Sequence, residues 1–135
     1  MSTIPVQTST HLTGIAPQFL VDDLDRAIAY YCDKLGFDLD FVYQSFYASV
    51  TRDGFAIHLK HGSRLPADRE YRKQSEHLDA YISVSGLRSL FRELEARGAR
   101  VTKHLEKEPW GCLDFYVEDP DENVLCFSER TPDAV

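Results

Sequence analysis

A chain of 135 residues, 43% hydrophobic and 27% charged, is long enough for one folded domain or for two half-domains sharing a core, and its ordinary composition excludes fibrous and low-complexity classes. A formal net charge of −7 repels phosphate backbones, which argues against a nucleic-acid partner and steers cationic partners inward. No stretch approaches the roughly 20 apolar residues of a membrane span, and the first residues have neither a basic start nor an apolar run, so a cytoplasmic protein with no membrane partner is expected.

Residues 1–13 are polar and rich in Ser and Thr, and are expected to form a flexible N-terminal segment. A strand is predicted over 15–21. Asp22 and Asp23 then offer N-cap chemistry to a helix with Leu24, Ala27, Ile28, Tyr31 and Leu35 at helical spacing, closed by Gly36. Three strands follow over 37–43, 46–52 and 55–61, the last two joined by the tight turn that Asp53-Gly54 favours. Residues 62–77 carry Arg64, Arg69, Arg72 and Lys73 among acidic residues without an apolar period, and read as a connecting loop with room for a helical turn. A strand over 78–84 precedes a helix with Leu87, Leu90, Phe91 and Leu94 on one face and Gly98 as its stop. Strands over 101–106, 113–117 and 124–128 complete the pattern, the last two forming a hairpin around Asp119, Pro120, Asp121, Glu122 and Asn123. Cys32, Cys112 and Cys126 lack metal-type spacing, and their default reading is as small buried hydrophobes in a reducing compartment.

The two halves repeat one order, β-α-β-β-β, over 14–61 and 78–130, followed by a tail over 131–135. The fold class expected is α+β, two βαβββ modules forming a curved mixed-sheet hollow. One helix covers one face of each four-stranded sheet and leaves the other to curve around something. Period two assigns the faces: Phe55, Ile57 and Leu59 go to the helix side, and Ala56, His58 and Lys60 to the hollow. The same alternation puts Ala16, Gln18 and Leu20, then Asp79, Tyr81 and Ser83, then Val124, Cys126 and Ser128 on the hollow. In the final hairpin Leu113, Phe115 and Val117 face the core, while Asp114, Tyr116 and Glu118 face away.

FLVDDLDRAIAYYCDKLGF near the start and PWGCLDFYVEDPDENVLCFSE at the end resemble the vicinal-oxygen-chelate superfamily, which includes glyoxalase I, extradiol dioxygenases and bleomycin resistance proteins. The resemblance covers about residues 15–130. Ala16-Pro17, LGFDLDFVYQSFYASVTRDG, the Gly86 that follows its strand, and KEPWG look most like bleomycin resistance proteins. The resemblance implies the glyoxalase/bleomycin resistance fold and a dimer. Enzymes of the superfamily hold a divalent metal at positions that match Ala16, His58, Asp79 and Cys126 here. Alanine cannot ligate, and a His/Asp/Cys remainder suits no one metal, so no cofactor is expected.

Bleomycin resistance proteins sequester a large cationic glycopeptide without chemistry, between aromatic side chains in the grooves of a dimer. The matching aromatics are Phe41, Phe46, Tyr81 and Trp110. With His58 and Asp114 they make up the expected ligand site, and Asp114 and Glu118 are expected to steer a cation near its mouth. Pro17 matches the proline at which the first strand of that family crosses to a partner subunit. The expected function is therefore sequestration of a small aromatic, cationic compound by a homodimer, with exchange of the strand at Pro17 an open possibility. Two alternatives stay open: a metal-dependent enzyme using His58, Asp79 and Cys126, with His11 or Gln18 recruited, and a relative that binds another metabolite.

Overall fold

The computed structural model describes residues 9–131. The parts of the expected flexible segment and tail at 1–8 and 132–135 lie outside the described residues. Two four-stranded mixed sheets stand one per half. In the first, β1 (Gln18–Val21), β4 (Phe55–His61), β3 (Tyr47–Arg52) and β2 (Asp38–Tyr43) lie side by side in that order, with β1 parallel to β4 and the other pairs antiparallel. In the second, β5 (Ala80–Ser83), β8 (Val124–Arg130), β7 (Cys112–Glu118) and β6 (Arg100–Lys107) repeat the arrangement, with β5 parallel to β8.

Each sheet has its own helix. α1 (Leu24–Asp33) starts at Asp23, whose side chain accepts from the backbone N–H of Arg26 at 3.0 Å, and it lays Leu24, Ala27 and Tyr31 on Phe19, Val21, Ala48, Val50, Ile57 and Leu59. The helix stops at Asp33, before the predicted Leu35, and Gly36 turns the chain at φ +73°. α3 (Leu87–Arg97) lays Leu87 and Leu94 on the second sheet, where Phe91 meets Phe115 edge-on at 5.1 Å and Phe115 stacks on Phe127 at 5.2 Å. Full burial of each such aliphatic or aromatic side chain contributes about 1.5–3 kcal/mol, so these two layers carry most of the stability. At the β3–β4 hairpin both Asp53 and Gly54 take positive φ, +54° and +83°, the type I′ geometry that matches strand twist.

Three expectations need correction. The first strand begins at Gln18, not near residue 15, because Pro17 has no N–H to give to a ladder; its carbonyl accepts from His58 N–H at 2.9 Å. Phe55 follows the period to the helix side but sits at the hairpin tip beyond the reach of α1, and stays 75% exposed. The stretch read as a loop over 62–77 contains a third helix, α2 (Pro66–Gln74), with Pro66 in its first turn and no buried residue.

The modules grip each other through their hairpin turns. Asp119, Asp121 and Asn123, in the β7–β8 turn, are all buried, because that turn inserts against α1. Tyr31 donates its hydroxyl to Asp119 Oδ2 at 2.9 Å, Tyr30 donates to the Glu118 carbonyl at 2.7 Å, and Asn123 Nδ2 donates to the Leu20 carbonyl at 3.2 Å. At the other junction Arg52 donates to both Glu93 oxygens, at 3.0 and 2.8 Å, and to the Leu35 carbonyl at 2.8 Å. It crosses Gly36 so closely that a Cβ there would lie 2.5 Å from Arg52 Nη1.

Candidate functional site

On the first sheet the face away from α1 carries Phe41, Tyr47, Ser49 and His58. A bulge between Leu39 and Phe41 shifts the register of β2, so Leu39 pairs with core-facing Val50 while Phe41 pairs with Ser49 on the open face. Phe41 lies parallel to Tyr47, centroids 6.4 Å apart, and His58 meets both rings edge-on at 6.1 and 5.5 Å. Tyr47 joins Gln18 and His58: Gln18 Nε2 donates to its hydroxyl at 2.9 Å, and that hydroxyl is 2.8 Å from His58 Nδ1. Phe46 is apart from this group, at the β2–β3 turn, where it packs against Tyr43 at 5.6 Å.

The open face of the second sheet carries Tyr81, Asp114, Tyr116, Cys126 and Ser128. The Tyr81 hydroxyl donates to Ser128 Oγ at 2.8 Å, although its ring is 56% exposed. Lys103 stands 4.9 Å over the Tyr116 ring and pairs with Glu108. Asp114 is the unexpected feature. Instead of lying near a mouth it is only 2% exposed, hemmed in by its neighbours on the curved face, and its Oδ1 is buried without a hydrogen-bond partner among the described residues. Burial, reinforced by the Asp114 carboxylate, pushes the Cys126 thiol up to about 12. Trp110, in the turn ahead of β7, is 63% exposed and has no ring contact with another aromatic among the described residues. No hydrogen bond or ring contact among the described residues links the Phe41 group to the Tyr81 group.

α2 lies over one end of this second face. Arg64, Arg69, Arg72, Lys73 and His77 line a cleft of about 140 Å³ together with Asp79, Thr102, Tyr116, Glu118, Glu122 and Val124. Its cations are not free. Arg64 and Arg72 both reach Asp79, Lys73 bonds Glu122 at 2.8 Å, and Arg69 pairs with Asp22 and Glu122 at 3.2 and 3.8 Å. The basic stretch therefore neutralises its surroundings.

The four positions implied as metal ligands do not form a metal site. Ala16 precedes β1 and has no donor, and the ladder neighbour of His58 is Gln18. Asp79 gives one oxygen to Arg64 and Arg72 and the other to the Val124 N–H at 2.8 Å, while Tyr81 is the ladder neighbour of Cys126. Neither recruit joins them: His11 turns its Nδ1 to the Ser9 carbonyl, and Gln18 gives its Nε2 to Tyr47. Among the described residues no three His, Cys, Asp or Glu side chains form a metal-binding group. The donors present do not fit a divalent metal, which needs deprotonated, convergent ligands.

Sequence reasoning missed Tyr47, read only as part of a strand. Its place between two polar residues of the open face, Gln18 and His58, depends on a pairing of β1 with β4 that spans the whole module.

Comparison with known proteins supports this architecture. Residues 10–127 match the Glyoxalase/Bleomycin resistance protein/Dioxygenase superfamily. A bleomycin resistance protein from Geobacillus stearothermophilus is 27% identical over 133 residues, covering 84% of this chain and 94% of that relative. Among solved structures, a glyoxalase-related enzyme from Clostridium phytofermentans superposes with a TM-score of 0.72 at 16% identity, over 92% of this chain and 99% of that one. The bleomycin-binding protein of bleomycin-producing Streptomyces verticillus, solved with copper(II)-bleomycin, superposes with a TM-score of 0.68 at 23% identity, over 88% of this chain and 97% of that one. With its two βαβββ halves and a family match over most of its length, the chain belongs to the glyoxalase/bleomycin resistance protein/dioxygenase superfamily.

Proposed function

We propose that this protein sequesters a planar, cationic small molecule against its open sheet faces and performs no chemistry on it, bleomycin being the type ligand. The observation that carries the reading is Asp114: a carboxylate on the open face of the second sheet, 2% exposed, whose Oδ1 has no hydrogen-bond partner among the described residues. A buried, unpaired anionic oxygen is costly alone and gains most from a cationic donor. Tyr81 on the same face offers an exposed ring, and Trp110 an exposed indole ahead of the same strand; each cation-π contact adds about 0.5–2 kcal/mol. The likeness to bleomycin resistance proteins supports the ligand class.

The reading carries with it a cytoplasmic homodimer. Its support is β2, an edge strand with every residue exposed, among them Leu39, Phe41, Val42 and Tyr43. Exchange of the strand at Pro17 is compatible with the exposed segment ahead of it, where Leu12 and Ile15 lack cover.

Titration with bleomycin, followed by Trp110 fluorescence and by calorimetry, tests the proposal. Binding with a change in both signals is expected, and Asp114→Asn is expected to weaken it on the order of tenfold or more, the scale of a hydrogen bond to a charged group. A wild-type protein giving neither heat nor a fluorescence change would remove the ligand assignment.

A further inference from the structure

The open face of the first sheet contains a hydrogen-bond chain of three side chains. Gln18, Tyr47 and His58 come from β1, β3 and β4, and Gln18 Nε2 can only donate, so at 2.9 Å the Tyr47 oxygen accepts from it. The Tyr47 hydroxyl, 2.8 Å from His58 Nδ1, is then able to give its own proton to that nitrogen. A neutral imidazole that accepts at Nδ1 must carry its hydrogen on Nε2. That Nε2 has no partner among the described residues and is not buried, and the ring holding it stands edge-on to the parallel pair Phe41 and Tyr47. In that tautomer the aromatic cluster on this face has an N–H donor at its edge.

We propose that Gln18 and Tyr47 are specificity-determining residues that hold His58 as an Nε2–H donor, and that this donor selects planar ligands with a hydrogen-bond acceptor, such as a ring carbonyl, at their edge. The inference rests on the reading of these faces as a binding site for flat molecules. It adds a polar requirement that stacking and charge alone do not impose. Misplacing the donor leaves the ring and its packing intact, so the effect is on selectivity.

The test combines a spectroscopic and a binding readout. Long-range ¹H–¹⁵N correlation spectra, recorded at a pH where the imidazole ring of His58 is neutral, report its tautomer. Calorimetry compares two planar cations: daunorubicin, which bears quinone carbonyls, and ethidium, which bears no such acceptor. The wild type is expected to show the Nε2–H tautomer. Tyr47→Phe and Gln18→Ala are expected to shift the ring toward a mixture, and to weaken daunorubicin about two- to tenfold, the range of one net hydrogen bond, while ethidium changes by less than about twofold. An Nδ1–H tautomer in the wild type overturns the proposal. So does an unchanged tautomer in Tyr47→Phe, or an equal loss for both probes, which would mark Tyr47 as a stacking surface only. If neither probe binds the wild type, the proposed function fails for this ligand class, whereas the tautomer in Tyr47→Phe still decides whether Tyr47 orients His58.

Discussion

At Asp119 four donors converge on one buried carboxylate: the N–H groups of Asp121 and Asn123 at 2.8 and 2.9 Å, Asn123 Nδ2 at 2.8 Å and the Tyr31 hydroxyl at 2.9 Å. Burial pushes this carboxyl up from its ordinary value while the donors pull it down. Asp119→Ala would strand two backbone N–H groups and a tyrosine hydroxyl in the interface between the modules, and is expected to cost about 3 kcal/mol, read from urea unfolding. Sequence marked Asp119 as a turn residue and nothing more. Its role as a hub depends on Tyr31, which is far away in the chain and reads as an ordinary apolar-face residue of a helix. Cys126 is a second case at this scale. Its thiol, pushed up to about 12, is almost wholly protonated at neutral pH, so iodoacetamide at pH 8 is expected to leave it unmodified in the native protein and to alkylate it in urea, as peptide mass spectrometry would report. Rapid native labelling would contradict the burial that the structure assigns.

Among the elements, α2 differs from the other two helices in what holds it. α1 and α3 are fixed by apolar faces, which is why a period of 3.6 revealed both. α2 buries no residue and is tied to Asp22, Asp79 and Glu122, in three separate connecting segments, by its own Arg69, Arg72 and Lys73, with Arg64 just ahead of it also reaching Asp79. No hydrophobic period exists there to be read, so the segment looks like a loop from sequence. Such ties are weakened when the screening length shrinks from about 10 Å to about 3 Å between 0.1 and 1 M salt. Amide protection across residues 66–74 is therefore expected to fall with added salt while α1 and α3 keep theirs, measured by hydrogen exchange. The pH dependence has a definite sign. Asp22 is held below its ordinary value by the Ser63 and Arg69 hydrogen bonds, and Glu122 by Lys73. A carboxylate lowered by folding contributes above its unfolded pKa, near 3.8 for Asp22 and 4.5 for Glu122, and that contribution is lost as pH falls through the folded value. α2 is thus expected to loosen first on acidification below about pH 4.5.

For the whole molecule, the crossing of the two hairpin turns makes one cooperative unit of two repeated halves. Arg52 forks onto Glu93 above Gly36, whose φ of +73° and missing side chain leave room for the guanidinium. Gly36→Ala combines a strained backbone with a close contact and is expected to destabilise by about 2 kcal/mol. A double-mutant cycle of Arg52→Ala and Glu93→Ala should return a coupling of about 1 kcal/mol, because both side chains remain partly solvated. Calorimetric unfolding is expected to show a single transition; two separate transitions would mean that the modules melt independently.

Local pattern alone determined the order of the strands and of α1 and α3, the duplication, and the face on which each strand residue of the central ladders lies, because periods of two and 3.6 are written in neighbouring residues. It also placed the tight turn at Asp53-Gly54 and the end of α3 at Gly98, where positive φ favours glycine. Only the tertiary structure decided that α2 is a helix, that Asp114 is buried, and that Gln18, Tyr47 and His58 form one chain. It also separated the Phe41 and Tyr81 groups onto two sheets with no direct link among the described residues, and denied Ala16, His58, Asp79 and Cys126 a common metal site. The reason is the same in each case. These properties depend on charge pairing and packing between residues distant in the chain, and a one-dimensional period carries no information about which distant side chain closes a given contact.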